Sequence, residues 1–417
     1  MRAQPLTQIS LLAALSLGTV VAVGSLSGCR SRQQAAVPPK ALSQGEAAPP
    51  VVKPPFRRKD LPRIDVHTHI QLGAGLRAAR LLESYGIAHA VNLSGPPPEA
   101  GLLDSIGDAE VAYHRLTVFA NLPWYYAAVP EYGPRIAAEL PKIKAAGARG
   151  IKIAKGLGLG IRGPDGKLLR VDDPGLDVVF DTAGELGLPI AIHVGDPQAF
   201  WREPDEKNER YEELMAHPDW SFWADQKKGA VPSWRELFEA FSRRVLRHPK
   251  TTFIGVHFGN APEEPQLVAQ LLDRAPNLYI DTAARLPEIG RSDPNHSPEK
   301  LRAFFLKYQD RILFGTDTGI GRQESALMFG STGQTPPTQA DADRFFESTW
   351  RYFETADTDI PSPTPIQGRW TISGVNLPDA VLEKIYYKNA QRLLGITLAE
   401  KALPKQEKGP VPSADDL

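Results

Sequence analysis

One cysteine, Cys29, in 417 residues leaves this chain unable to close an intramolecular disulfide, so cross-links are excluded as a source of its stability. An excess of either charge is also missing. The 48 Lys and Arg residues almost balance 49 Asp and Glu, for a formal net charge of −1; setting aside residues 1–28, whose only charged residue is Arg2, makes it −2. Such a balance gives no electrostatic case for nucleic acid as a partner. Nor does a glycine-rich phosphate loop follow the first β-type run, which disfavours a doubly wound open sheet. What remains is a composition of 42% hydrophobic and 23% charged residues, that of a globular chain with an ample core.

The longest apolar run, Leu11 to Leu26, follows Arg2 and ends in Leu26-Ser-Gly-Cys29. A charged lead and small residues before the break fit a secretory signal better than a membrane span. Its end resembles the lipobox of bacterial lipoproteins, which implies acylation of Cys29 and export to the cell envelope on a lipid anchor. Arg30 in the next position, where an aspartate would retain the protein at the inner membrane, points to the outer one. Residues 29–58 are rich in Pro, Ala and Gln, and read as an extended tether. Residues 401–417 read as a loose polar tail. The folded domain is therefore expected at 59–400.

Within it, eight β-type runs alternate with amphipathic helical stretches: Ile64–Ile70, Ala88–Ser94, His114–Asn121, Gly150–Ala154, Ile190–Val194, Phe253–Gly259, Leu278–Ala283 and Ile312–Asp317. Eight strand-then-helix repeats predict an α/β fold, a closed (β/α)8 barrel. Side-chain alternation along a strand assigns two faces. Ile64, Val66, Ile70, Ile190, Ile192, Val194, Ile254, Val256, Phe258, Ile312 and Phe314 are expected to meet the helices. Asp65, His67, His69, Lys152, Ala191, His193, His257, Asp281, Gly315 and Asp317 are expected inside.

Four histidines and an aspartate of that inner set lie late in their strands, where active sites of such barrels gather. Imidazole and carboxylate are ligands that zinc and its neighbours accept, and a partly filled shell leaves a place for water whose pKa the cation lowers from ~16 toward ~7. Asp317 is placed to take the proton, and His257 to orient the water or the leaving oxygen. His89, His114, His217, His248 and His296 have no matching placement and default to structural or surface roles.

Asp65-Val-His-Thr-His69, His193, His257-Phe-Gly259, Phe314-Gly-Thr-Asp317 and the closing Ile385-Tyr-Tyr-Lys-Asn-Ala-Gln-Arg-Leu-Leu-Gly395 together resemble the metal-dependent amidohydrolase superfamily, within it the amidohydrolase-related branch that includes aminocarboxymuconate semialdehyde decarboxylase. The resemblance spans Arg63 to Ile396. It implies that His67, His69, His193 and Asp317 are metal ligands, with His257 a catalytic acid/base or further ligand. Lys152 matches the place where some members carry a carboxylated lysine between two metals; its alternatives are an anchor for an anionic substrate or an ion pair with Asp281. One Zn2+ is favoured, or two if Lys152 is carboxylated.

A long excursion, Asp196 to Lys250, follows the fifth strand and holds Trp201, Trp220, Trp223 and Trp234. Either these aromatics line the pocket, with Trp124 facing the same opening, or they pack the excursion onto the barrel. Its segment Arg202–Arg210 is expected on the surface, and Arg285 is a candidate for carboxylate recognition. The reading is a metal-dependent hydrolase that cleaves an amide, ester or lactone bond in a small organic molecule. The alternative that the branch implies is a non-oxidative decarboxylase of an aromatic or enol acid, and a binding lipoprotein without turnover is a third reading.

Overall fold

The computed structural model describes residues 60–399, apart from 196, 332 and 334, together with residue 403. The signal, Cys29, the tether and nearly all of the tail lie outside the described residues. Leu403 is an exception to the loose-tail expectation: it is buried, and its N–H donates to Glu83 at 3.2 Å.

All eight expected runs contain a strand. They are β1 (Arg63–Ile70), β2 (Ile87–Gly95), β3 (Leu116–Asn121), β4 (Gly150–Ile153), β5 (Ile190–Ile192), β6 (Phe253–Gly255), β7 (Leu278–Asp281) and β8 (Ile312–Leu313). Each pairs with the next in sequence order, in parallel. Strand β9 (Thr318–Ile320) pairs in parallel with β1, and β10 (Leu327–Phe329) lies antiparallel on β9. Between β8 and β9 the chain stays on β1: the Val66 N–H donates to Phe314 O at 2.9 Å, and the Asp317 N–H to His67 O at 2.8 Å. Residues 312–320 therefore form one interrupted eighth strand that zips onto the first, and the sheet closes into a (β/α)8 barrel. A small ribbon of β11 (Ile360–Pro361) and β12 (Thr371–Ile372) stands apart.

The outer layer follows helical periodicity. In the helix Trp234–Arg247, Ser233 and Glu236 form a reciprocal capping box, while Trp234, Leu237, Phe238, Phe241 and Val245 are buried, one stripe of a 3.6-residue repeat. Ile190, Ile192, Val194, Ile312 and Phe314 meet such helices as expected, and Ile151 and Ile153 do the same. Ala191 and Leu313 face inward, in a second cluster with Val91, Leu93 and Phe119. Phe119 lies so close over Gly150 that a Cβ there would sit 2.4 Å from its ring. Ala390 and Leu394 from the C-terminal helix, and Ile396 just after it, join this cluster, and Asn389 donates to Ile312 O at 2.8 Å. The segment Asn389–Ile396 thus corks the barrel at the end where the strands begin.

Two strands depart from simple alternation. Ile64, Val66, Ile254 and Val256, expected against the helices, lie in the inner cluster instead. In β1 the register with β2 slips between Asp65 and Thr68, a bulge that resets which side chains face inward. In β6 the strand stops at Gly255, and His257 and Phe258 take left-handed conformations, with φ of 53° and 56°. The expected strand 253–259 is therefore three residues followed by a tight turn.

The excursion after β5 resolves into short helical turns, among them Gln198–Trp201, Tyr211–Ala216 and Trp223–Lys227, before the long helix Trp234–Arg247. Trp201 and Trp234 are buried in the core, and Trp201 packs on Phe222 with ring centroids 4.7 Å apart. Trp220 stacks on His217 at 3.9 Å. Trp201, Trp220 and Trp234 thus pack within the excursion and against the core. Arg210, expected at the surface, is 1% exposed because Glu213 and Glu288 close around its guanidinium. Among the described residues no helix is long and apolar enough to cross a membrane.

Candidate metal centre

The rim where β1, β5, β6, β7 and β8 end gathers the expected donors. One ligand atom each from His67, His257 and Asp317 lie within 4.8 Å of one another. His69 Nε2 is 3.2 Å from Asp317 Oδ1, and the His193 ring centroid is 4.4 Å from that of His257. Three donors therefore converge, His69 stands beside Asp317 and His193 beside His257.

Local backbone, more than strand alternation, delivers them. The bulge in β1 turns His67 inward, and Asp65 braces it by accepting from the His67 N–H at 3.1 Å and the Thr316 N–H at 3.0 Å. Asp65 thereby ties β1 to the loop that carries Asp317, and its burial pushes its own carboxyl up to about 7. Asp317 sits at φ 63°, a left-handed residue just past β8. The turn after β6 swings His257 back toward the axis, and the buried Asn260 pins that turn to β5, accepting from the Val194 N–H at 2.9 Å and donating to Ile192 O at 3.1 Å.

Three of the histidines are oriented alike. His67 Nδ1 donates to Asp281 Oδ2 at 2.8 Å, His257 Nδ1 donates to Ala283 O at 2.9 Å, and His69 Nδ1 is hydrogen-bonded to Ser94 Oγ at 2.7 Å. His67 and His257 thereby keep Nε2 for a ligand, whereas His69 Nε2 faces Asp317 Oδ1 at 3.2 Å; outer partners of this kind fix tautomer and orientation in metal sites. The Nε2 of His67 is buried without a hydrogen bond and stands 3.5 Å from Asp317 Oδ1.

Protonation states match the same use. Burial, and then the positive charge of Lys152, hold His67 well below the usual imidazole range, so that it is neutral. Burial alone would raise the Asp317 carboxyl, but the imidazoles gathered around it, with a hydrogen bond from His69, outweigh it and hold it well below the usual carboxylate range. A neutral imidazole and an ionised carboxylate side by side are the donor states a divalent cation requires.

Lys152 is 3% exposed, on β4, and its charge acts on both His67 and Asp281. Arg285 is buried and donates to Ala284 O at 2.8 Å. Trp124, half-buried, packs against the outer core cluster from a short turn after β3. The supporting residues Ser94 and Asn260 were not singled out from sequence; Asn260 was detectable only as a polar residue directly after His257-Phe-Gly259.

The sequence profile of the Amidohydrolase family matches residues 64–396, a span that contains every donor and the closing helix. The chain belongs to the amidohydrolase family. No curated protein matches it. Among solved structures, the amidohydrolase is similar to 2,6-dihydroxybenzoate decarboxylase from Rhizobium, at 14% identity and a TM-score of 0.43, covering 80% of this chain and 99% of that one. It is similar to dihydroxybenzoic acid decarboxylase from Polaromonas sp. JS666, solved with manganese and 2-nitroresorcinol, at 15% identity and a TM-score of 0.45, covering 82% and 98%. A probable 2-pyrone-4,6-dicarboxylic acid hydrolase from Acinetobacter baumannii matches at 13% identity and a TM-score of 0.43, covering 80% and 99%.

Proposed function

We propose that this amidohydrolase is a metal-dependent hydrolase that cleaves an amide, ester or lactone bond in a small organic substrate. The observation that carries the reading is the convergence of His67, His257 and Asp317 within 4.8 Å, with His69 and His193 beside them. His67, His69, His193 and Asp317 are the residues to hold the ion, and His257 lies close enough to be a further ligand. When bound, a divalent cation such as Zn2+ supplies Lewis acidity that polarises a carbonyl and acidifies water. Asp317, ionised at neutral pH, accepts a proton at its carboxylate from the attacking water. His257, with Nδ1 committed to Ala283 O, works through Nε2 and delivers a proton to the leaving atom. Lys152 is read as an ammonium, paired electrostatically with Asp281 and available to an anionic group, which favours a single ion. Arg285 and Trp124 are assigned to substrate recognition.

The address is part of the same proposal. Leu26-Ser-Gly-Cys29 supports export, cleavage before Cys29 and acylation of its thiol, with residues 29–58 tethering the domain at 59–400 to the membrane. Mass spectrometry of the mature N-terminus tests this.

The functional test is elemental analysis of the purified protein, followed by assay on a panel of lactones, esters, amides and aromatic acids, with His193→Ala in parallel. Hydrolysis that falls with metal content and with the substitution supports the reading. Carbon dioxide release from an aromatic acid, without hydrolysis, replaces it by decarboxylation. A metal-free protein with full activity removes both.

A further inference from the structure

We propose that Asp281 is the positioning residue of this centre, using the two oxygens of one carboxylate to fix the ring of His67 and the backbone of His257. For its metal readout the proposal rests on the function proposed above. Asp281 ends β7 and is fully buried. Its Oδ2 lies 2.8 Å from His67 Nδ1. Its Oδ1 accepts from the His257 N–H at 2.8 Å and from the Ala283 N–H at 3.1 Å.

The two contacts solve different problems. A carboxylate has no proton to give, so His67 must carry its hydrogen on Nδ1 and keep the Nε2 lone pair for the ion. His257 and Phe258 adopt left-handed conformations that residues other than glycine avoid. An N–H taken up by a buried carboxylate oxygen holds the first of them in place. Ala283, whose N–H shares that oxygen, also gives its carbonyl to His257 Nδ1 at 2.9 Å. One side chain therefore sets the tautomer of one donor and, through the turn and Ala283, the aim of another.

Asp281→Asn separates the contacts. The two backbone N–H groups keep the amide oxygen on their side, so the NH2 faces His67 Nδ1 and can only donate to it. The expected result is a folded protein with the His257 turn intact and His67 switched to the Nε2–H tautomer. Side-chain 15N shifts of the metal-free protein read this directly: His67 Nδ1 is pyrrole-type in the native chain and pyridine-type in the variant. Zinc competition against a chromogenic chelator should show binding weakened about 10–100-fold.

A merely structural carboxylate would cost stability and leave both readouts unmoved. A native protein whose His67 Nδ1 is pyridine-type overturns the proposal without any variant, and so does an Asp281→Asn protein that keeps the pyrrole-type signal and binds zinc within about threefold of native. Failure of the native chain to bind zinc instead sinks the metal reading, while the tautomer still decides the role of Asp281.

Discussion

Replacing Arg210 by alanine should destabilise the protein far more than loss of a surface cation. Arg210 is 1% exposed, and its partners Glu213 and Glu288 are 2% and 1% exposed. Burial alone would loosen the guanidinium proton, but Glu288 and Glu213 outweigh burial and hold it more firmly than usual. Arg210→Ala leaves two carboxylates in a dry space without their cation, with only the Ser331 hydroxyl still donating to Glu213, and breaking such a buried pair costs about 3–5 kcal/mol. A domain of this size unfolds with an entropy of roughly 0.7 kcal/mol per degree, so the melting temperature should fall by about 4–7 °C. Replacing all three residues with neutral ones of similar volume removes the desolvation along with the attraction, and should recover most of the loss. Thermal unfolding followed by circular dichroism measures both proteins. A fall of under about 1 °C for the single variant, or a triple variant as unstable as the single one, would refute the argument from uncompensated charge.

Gly150→Ala places a methyl group 2.4 Å from the Phe119 ring, and should cost about 1–3 kcal/mol in urea unfolding; Phe119→Leu should restore part of it. His89, hydrogen-bonded to Thr117 Oγ1 at 2.8 Å, has its imidazole pushed down to about 4, chiefly by burial. The unfolded chain then binds a proton below about 6.5 that the native one refuses, so this contribution to stability is intact above pH 6.5 and lost as the pH falls from 6.5 toward 4, a total of about 3 kcal/mol. His89→Gln should flatten that part of the curve of stability against pH; an unchanged slope would mean that the ring is not held neutral. Stripping metal with a chelator should lower the melting temperature by several degrees, and readdition of zinc at about 100 times its dissociation constant should return about 2.7 kcal/mol. Equal melting of metal-free and metal-loaded protein would count against the donor cluster as a binding site.

Strand order and barrel class were legible because they rest on short-range pattern, apolar runs at regular intervals; a histidine or aspartate late in the first, sixth and eighth runs marked the three residues that converge, His67, His257 and Asp317. The inner and outer faces of β5 and β8 followed from alternation. Those of β1 and β6 did not, since a bulge and a left-handed turn reset the phase, and neither leaves a glycine at His257 or Phe258 to announce it. His257 was placed among the site residues for a reason only half right, as it reaches the axis through the turn and not along the strand. The burial of Arg210 was hidden for a different cause. Its partner Glu288 lies 78 residues away, and a run of charged residues looks solvated until a distant carboxylate is known to close over one of them. The function of Asp281 belonged to the same class of information, since its two histidine partners come from β1 and from the turn after β6.

The seam of the barrel joins parts of the chain that are made far apart in time. Asp65 and Thr316 are separated by 251 positions, and the cork at Ala390, Leu394 and Ile396 is later still. A ribosome delivering this polypeptide releases most of the cylinder while its last staves and its plug are still unmade, and contacts so distant in sequence form slowly. The donors straddle that seam. A nascent or prematurely terminated product can hold much of the secondary structure and yet possess no cation pocket, so metal capture should report completion of the whole chain rather than of any fragment.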